Sequence, residues 1–337
     1  MNLFFLLFVS RTLIGFTVSS AALKSRYSLD LVYSTFIALF ITALVSLPAV
    51  ICAAKGKSVT DNRILSSVYG LYFIFSGSVN IAKFAIFSST ELNQSAKIAV
   101  LAGFMIVACT YAASLGIEAI SRFGSMVFVI TLIGMAGVIA EGASDFSFLN
   151  LFPVTQNPNE NIVRNILFSV CSTNEIVLYI ALAPKINGKT AKPFYFSLGA
   201  SYLAAMVLIA FAIGVLGDTA SLTAYPLFEV SQLSKLGSGE RLEAVFTALW
   251  IFTAFLKVTL FLYCAGISFA GRRKWIKFTA CGAAMFAVSA VFLYGSVLDS
   301  NQEIILYPAF AVFAFVLPLL YLIFGRKRNS IEDNRNI

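Results

Sequence analysis

Apolar positions along this chain fall into long blocks separated by short polar segments. A helix needs roughly 20 mostly apolar residues to cross a bilayer. Ten blocks meet that length, at about 2–22, 29–54, 64–89, 96–115, 123–141, 162–183, 193–217, 243–270, 274–296 and 303–325. The pattern predicts an all-α integral membrane protein of ten transmembrane helices. It forms a single polytopic domain over 1–325, followed by a polar tail, 326–337. The N-terminal block lacks a basic leader and is interrupted by Arg11, so it reads as an uncleaved first span. Between spans 7 and 8, Leu227, Val230, Leu233 and Leu236 recur every third residue, which predicts a short helix lying on the outer interface.

Composition agrees with a membrane protein. Of 337 residues, 59% are hydrophobic and 12% charged, where soluble domains carry about 25% charged. The net charge of +8 does not imply nucleic acid, because the basic residues sit in small clusters between apolar blocks. With the N-terminus cytoplasmic, fifteen of the 24 basic residues fall on the cytoplasmic side and six outside. That asymmetry predicts both termini in the cytoplasm. The remaining three, Arg11, Lys83 and Lys257, lie inside spans.

The chain contains no histidine, which excludes Ser-His-Asp and Cys-His catalysis and His-ligated metals. Its five cysteines are scattered through apolar blocks without a CxxC spacing and read as small buried side chains. No phosphate-binding loop, paired acidic metal site or nucleophile–base pair occurs. The expectation is a non-enzyme without cofactor or metal.

Candidate chemistry lies in the polar interruptions of two spans. Ten helices divide into two halves of five, about 1–141 and 162–325, related by an inverted repeat. In such transporter folds the first helix of each half is broken at midplane, where exposed backbone groups hold a ligand. Span 1 carries Arg11, Thr12, Gly15 and Thr17; span 6 carries Ser172, Thr173, Asn174 and Glu175 consecutively. Freed N–H groups would meet a carboxylate, and freed carbonyls or Glu175 an ammonium. The bland reading of the hydroxyls is hydrogen bonding to their own backbone. For Glu175 it is an ion pair with Lys257, Lys83 or Arg11. Lys257, mid-span in "FTAFLKVTLFLYCAG", is expected to face the bundle interior, near one of the interruptions or paired with Glu175. Lys83 sits nearer the outer end of span 3, where snorkelling to water is the alternative.

The stretch from Tyr225 to Gly266, with Tyr225-Pro226, Glu229, Arg241-Leu242-Glu243, Trp250, Phe255 and Lys257, resembles the B subunits of spore germinant receptors, the spore germination permeases. Gly116, Glu118 and Arg122 in "SLGIEAISR", the "NLFPV" segment at 150–154 and the Glu175 helix are similar to further signatures of that family. The likeness runs through essentially the whole chain. It departs from the pattern in having no polar segment before span 1, one glycine without a following proline in span 1, and Thr-Asn before Glu175. The resemblance implies a LeuT-like 5+5 fold of the amino acid–polyamine–organocation superfamily. It also implies a small nutrient ligand such as an amino acid, bound between helices 1, 3, 6 and 8. The implied partners are a receptor A subunit and a C-subunit lipoprotein in the bacterial cell membrane or spore inner membrane. A proton-coupled amino acid transporter of the same fold is the alternative, with Lys257 standing in for a coupled cation or carrying the proton.

Overall fold

A computed structural model describes residues 2–16, 26–56, 62–92, 95, 97–186, 188–233, 242–271, 273–295 and 302–324. The described residues are mostly helical and contain no strand. Nine of the helical stretches are long and apolar enough to cross a membrane. The helix of the first block, α1 (Leu3–Phe16), has 14 residues, and Thr17 lies outside the described residues.

Several spans are jointed. The second runs as α2 (Asp30–Val45) and α3 (Leu47–Ala54), with Pro48 in the first turn of α3. Proline is tolerated there because its missing N–H has no helical partner anyway. Then come α4 (Arg63–Phe87), α5 (Ile98–Leu115) and α6 (Ile117–Gly142). Gly116, at φ +95°, makes the tight turn between the last two. The sixth block splits into α7 (Asn159–Cys171) and α8 (Glu175–Leu182). After α9 (Ala191–Leu216), the short α10 (Pro226–Leu233) and α11 (Leu242–Ser268) comes α12 (Lys274–Tyr294). The last block is α13 (Gln302–Ala311), a π-helical turn (Val312–Val316) and α14 (Leu317–Phe324).

Burial ranks these helices by depth. In the most apolar stretch of each, 78% of α11 and 72% of α4 are buried, against 17% of the last span. The bundle is therefore centred on α11, which packs on α1, α4, α5, α6, α8, α10 and α12. Close approach uses small residues, as membrane helices commonly do: Gly134 of α6 lies against Leu249 of α11, and Gly124 of α6 against Leu6 of α1. On the outside of the bundle Phe36, Phe40 and Leu44 of α2 and Phe104, Val107 and Tyr111 of α5 are exposed. A surface this apolar belongs in lipid.

The short helix expected between spans 7 and 8 is present as α10. Leu227, Phe228 and Val230 of α10 are all buried, and Phe228 meets the ring of Phe87 at 5.3 Å. Trp250 stacks on Phe84 and lies 4.0 Å from Phe87. The helix thus buries its apolar face on an aromatic cluster of α4 and α11. Leu236 and the side chain of Leu233 lie outside the described residues.

One buried carboxylate ties down the long loop between α6 and α7. Asp30 Oδ2 accepts from the backbone N–H of Gln156 and of Asn157, both at 2.9 Å, from Ser28 Oγ at 3.1 Å and from Asn157 Nδ2 at 3.2 Å. Hydrogen bonds to a charged group contribute about 1.5–3 kcal/mol each, and stranded donors cost as much. Asp30→Ala is expected to lower the unfolding free energy by about 3 kcal/mol or more. Thermal unfolding of the purified protein checks this, with limited proteolysis reporting new cleavage between 143 and 158; unchanged values for both would exclude the clasp.

Candidate functional site

The interruption read in span 6 is a helix break. Ser172, Thr173 and Asn174 separate α7 from α8, and Glu175 opens α8 with 2% of its surface exposed. The backbone amides there are not free. Ser172 N donates to Phe168 O at 2.9 Å, Thr173 N to Val170 O at 3.0 Å and Asn174 N to Ser172 O at 3.0 Å. The three residues make a tight kink that satisfies its own donors, unlike the open amides expected from the sequence.

Glu175 reaches across to two other helices. Its Oε1 accepts from Lys257 Nζ of α11 at 3.0 Å and from Ser10 Oγ of α1 at 2.8 Å. Lys257 Nζ also donates to Ser10 O at 3.1 Å. The ammonium is 1% exposed and faces the bundle interior. This three-helix clasp explains how both charges reside in the apolar core: each neutralises the other, and a backbone carbonyl and a hydroxyl fill remaining positions. It does not fill them all. Glu175 Oε2 is buried and has no hydrogen-bond partner among the described residues.

Arg11 lies next to this clasp on α1 and turns toward α7 and α9. Its Nη2 donates to Ser169 O at 3.2 Å, and the guanidinium carbon sits 4.2 Å over the Tyr202 ring. Nη1 is buried without a partner among the described residues. Tyr202 OH meets Thr173 Oγ1 at 3.0 Å and Thr42 Oγ1 at 2.7 Å, so one tyrosine joins α2, α9 and the break. On the far side of the break Tyr72 OH of α4 donates to Asn174 Oδ1 at 2.7 Å, and its ring stacks on Phe313 of the π-helical turn at 4.4 Å.

The sequence-derived candidates thus divide. Arg11, Thr173, Asn174, Glu175 and Lys257 come together around the break. Thr12 Oγ1 bonds back to Phe8 O at 2.7 Å, on its own helix, which is the bland reading. The helix α1 is continuous from Leu3 through Thr12 and Gly15 to Phe16; the rest of the interruption expected in span 1, from Thr17 on, lies outside the described residues. Ser172 is partly exposed and caps α7. Lys83 lies outside the clasp, partly exposed, yet near enough to Lys257 for the two charges to repel. The described residues hold no cluster of three metal-ligating side chains. Sequence reasoning missed Ser10, Tyr72, Ser169 and Tyr202. A tyrosine or serine in an apolar span is a weak signal, and its partner here lies 100 or more residues away for Ser10 and Tyr72.

Removing one member of a buried ion pair costs about 3–5 kcal/mol, whereas replacing both by neutral groups costs far less. Lys257→Met and Glu175→Gln should each destabilise the purified protein, and the double variant should be more stable than either. Additive losses in thermal unfolding would mean that the two side chains do not act as a pair.

Comparison with known proteins gives a consistent family. A family model described as "Spore germination protein" matches residues 29–304. Spore germination protein KB of Bacillus subtilis (strain 168) is 26% identical over 211 residues, covering 59% of this chain and 56% of that protein. The chain therefore spans little more than half the length of this curated relative.

Proposed function

The chain belongs to the spore germination protein family, and from that premise we propose that it is the membrane subunit through which a germinant receptor senses a nutrient. The observation that carries this reading is the break at Ser172–Asn174 with its buried clasp. A small ligand such as an amino acid, docking beside the break between α1, α4, α8 and α11, would compete for Glu175 or Lys257. Doing so would change how three helices are tied together. By linkage the ligand acts only through its preference for one arrangement of those helices.

On this reading the nine described spans and the apolar α1 make up ten, arranged as a LeuT-like 5+5 inverted repeat. The termini lie in the cytoplasm, and an A subunit and a C-subunit lipoprotein sit alongside in the cell or spore inner membrane. The protein performs no catalysis. The lack of histidine and the absence of any nucleophile–base pair in the sequence support that part.

A second reading rests on Lys257 Nζ at the carbonyl of Ser10. An ammonium coordinated by a main-chain carbonyl stands where a coupled cation would sit in a transporter, so proton-coupled amino acid uptake is the alternative. Spores carrying Lys257→Ala are expected to lose the fall in optical density that follows nutrient addition, with the protein still at wild-type level in the membrane. An unaltered response would overturn the sensing role, and loss of the protein itself would reduce Lys257 to a structural charge. Uptake of labelled amino acid into proteoliposomes, collapsing with the proton gradient, would favour the transporter.

A further inference from the structure

The interior of the bundle carries a charge imbalance that the clasp does not remove. Lys257 and Glu175 neutralise each other. Arg11 and Lys83 remain, and neither has a carboxylate partner among the described residues. Arg11 lies close enough to Lys257 to repel it, and Lys257 close enough to Lys83 to do the same there, so three positive groups and one negative one occupy neighbouring positions in the transmembrane interior. Arg11 is partly offset by neutral groups, the Tyr202 ring and the Ser169 carbonyl, and it is 5% exposed. Lys83 has neither a hydrogen bond nor an ion pair in the described structure and retains partial exposure. Of the three cations it alone is partly exposed.

Lys83 also lies on the right face of its helix. Tyr72, Ser76, Asn80 and Lys83 follow one another at spacings of four, four and three, which places them along one stripe of α4. Tyr72 holds Asn174 at the break, so the stripe climbs from the break to Lys83. The backbone amides of Ser172, Thr173 and Asn174 are bonded to local carbonyls. The unsatisfied acceptor beside them is Glu175 Oε2, which suits a ligand donor such as an ammonium.

We propose that Lys83 binds a carboxylate of the ligand, and that the ligand of this site carries a net negative charge, as an acidic amino acid does. This rests on the ligand site proposed beside the break. A neutral zwitterion would bring one positive and one negative group and leave the excess of cations unchanged. An acidic amino acid brings its ammonium for Glu175 Oε2 and a second carboxylate that lowers the imbalance. A carboxylate on Lys83 also exchanges an unpaired charge for a charge-assisted hydrogen bond in a medium of low dielectric.

The test uses the full chain in nanodiscs of zwitterionic lipid at constant ionic strength, with L-glutamate, L-aspartate, L-alanine and sodium chloride as probes. Thermal unfolding and calorimetric titration are the readouts. The acidic amino acids should raise the unfolding temperature, and L-alanine and chloride should not. Lys83→Met should weaken the binding of L-glutamate by about tenfold or more, the effect of one charged hydrogen bond, and Lys83→Arg should restore most of it. Three results overturn the inference: no response to either acidic amino acid, equal or tighter binding of L-alanine, or a shift that chloride alone reproduces. Glu175→Gln separates this inference from the site beneath it. If binding is lost with Glu175→Gln and untouched by Lys83→Met, the site stands and the anionic ligand falls. If binding survives Glu175→Gln, the site itself falls.

Discussion

A single ammonium in the most buried helix of the bundle constrains the rest of the structure. Lys257 cannot escape to either surface, so the fold must bring it an anion, and that anion is Glu175 at 3.0 Å. The carboxylate can arrive there only because α7 stops at Cys171 and α8 starts afresh at Glu175. The Ser10 hydroxyl and carbonyl complete the arrangement and fix α1 against α8 and α11. In lipid, van der Waals packing holds apolar helices together without much direction. The clasp adds direction, since an ion pair in low dielectric tolerates little displacement before its desolvation is uncompensated.

Around the clasp lies a layer of tyrosines. Tyr202 supports Arg11 and Thr173 from one side, and Tyr72 holds Asn174 from the other while stacking on the π-helical turn of the last span. A π-turn leaves the normal hydrogen-bond ladder out of register, and Tyr69 OH donates to the carbonyl of Phe313 within it at 2.9 Å. The last span is thereby connected to the break through side chains of α4. Both routes end on the residues immediately before Glu175, at Thr173 and Asn174.

Much of this was legible in the sequence. Apolar blocks near bilayer length marked nine spans that the structure describes, because every backbone polar group in lipid must be satisfied within its own helix. The consecutive Ser172, Thr173, Asn174 and Glu175 marked the break, since four polar residues in an apolar span are costly without a purpose. What was not legible depends on contacts between distant segments. Nothing local distinguishes Ser10 from Thr12, yet one joins the clasp and the other bonds to its own helix. The period-three pattern of α10 identified a helix, but its burial against Phe87 and beside Trp250 was set by aromatic residues on other spans. Amides at the break were expected to be open; the kink closes those of Ser172, Thr173 and Asn174.

The account depends on the clasp holding α1 and α11 in one relation, and a distance measurement tests that most directly. Spin labels at Asn2→Cys and Ala270→Cys, both exposed positions, can be placed on a protein freed of its five native cysteines and read by pulsed electron paramagnetic resonance. The account predicts one narrow distance distribution, which broadens or splits when Lys257 is replaced by methionine. Superposable distributions with and without the lysine would contradict it.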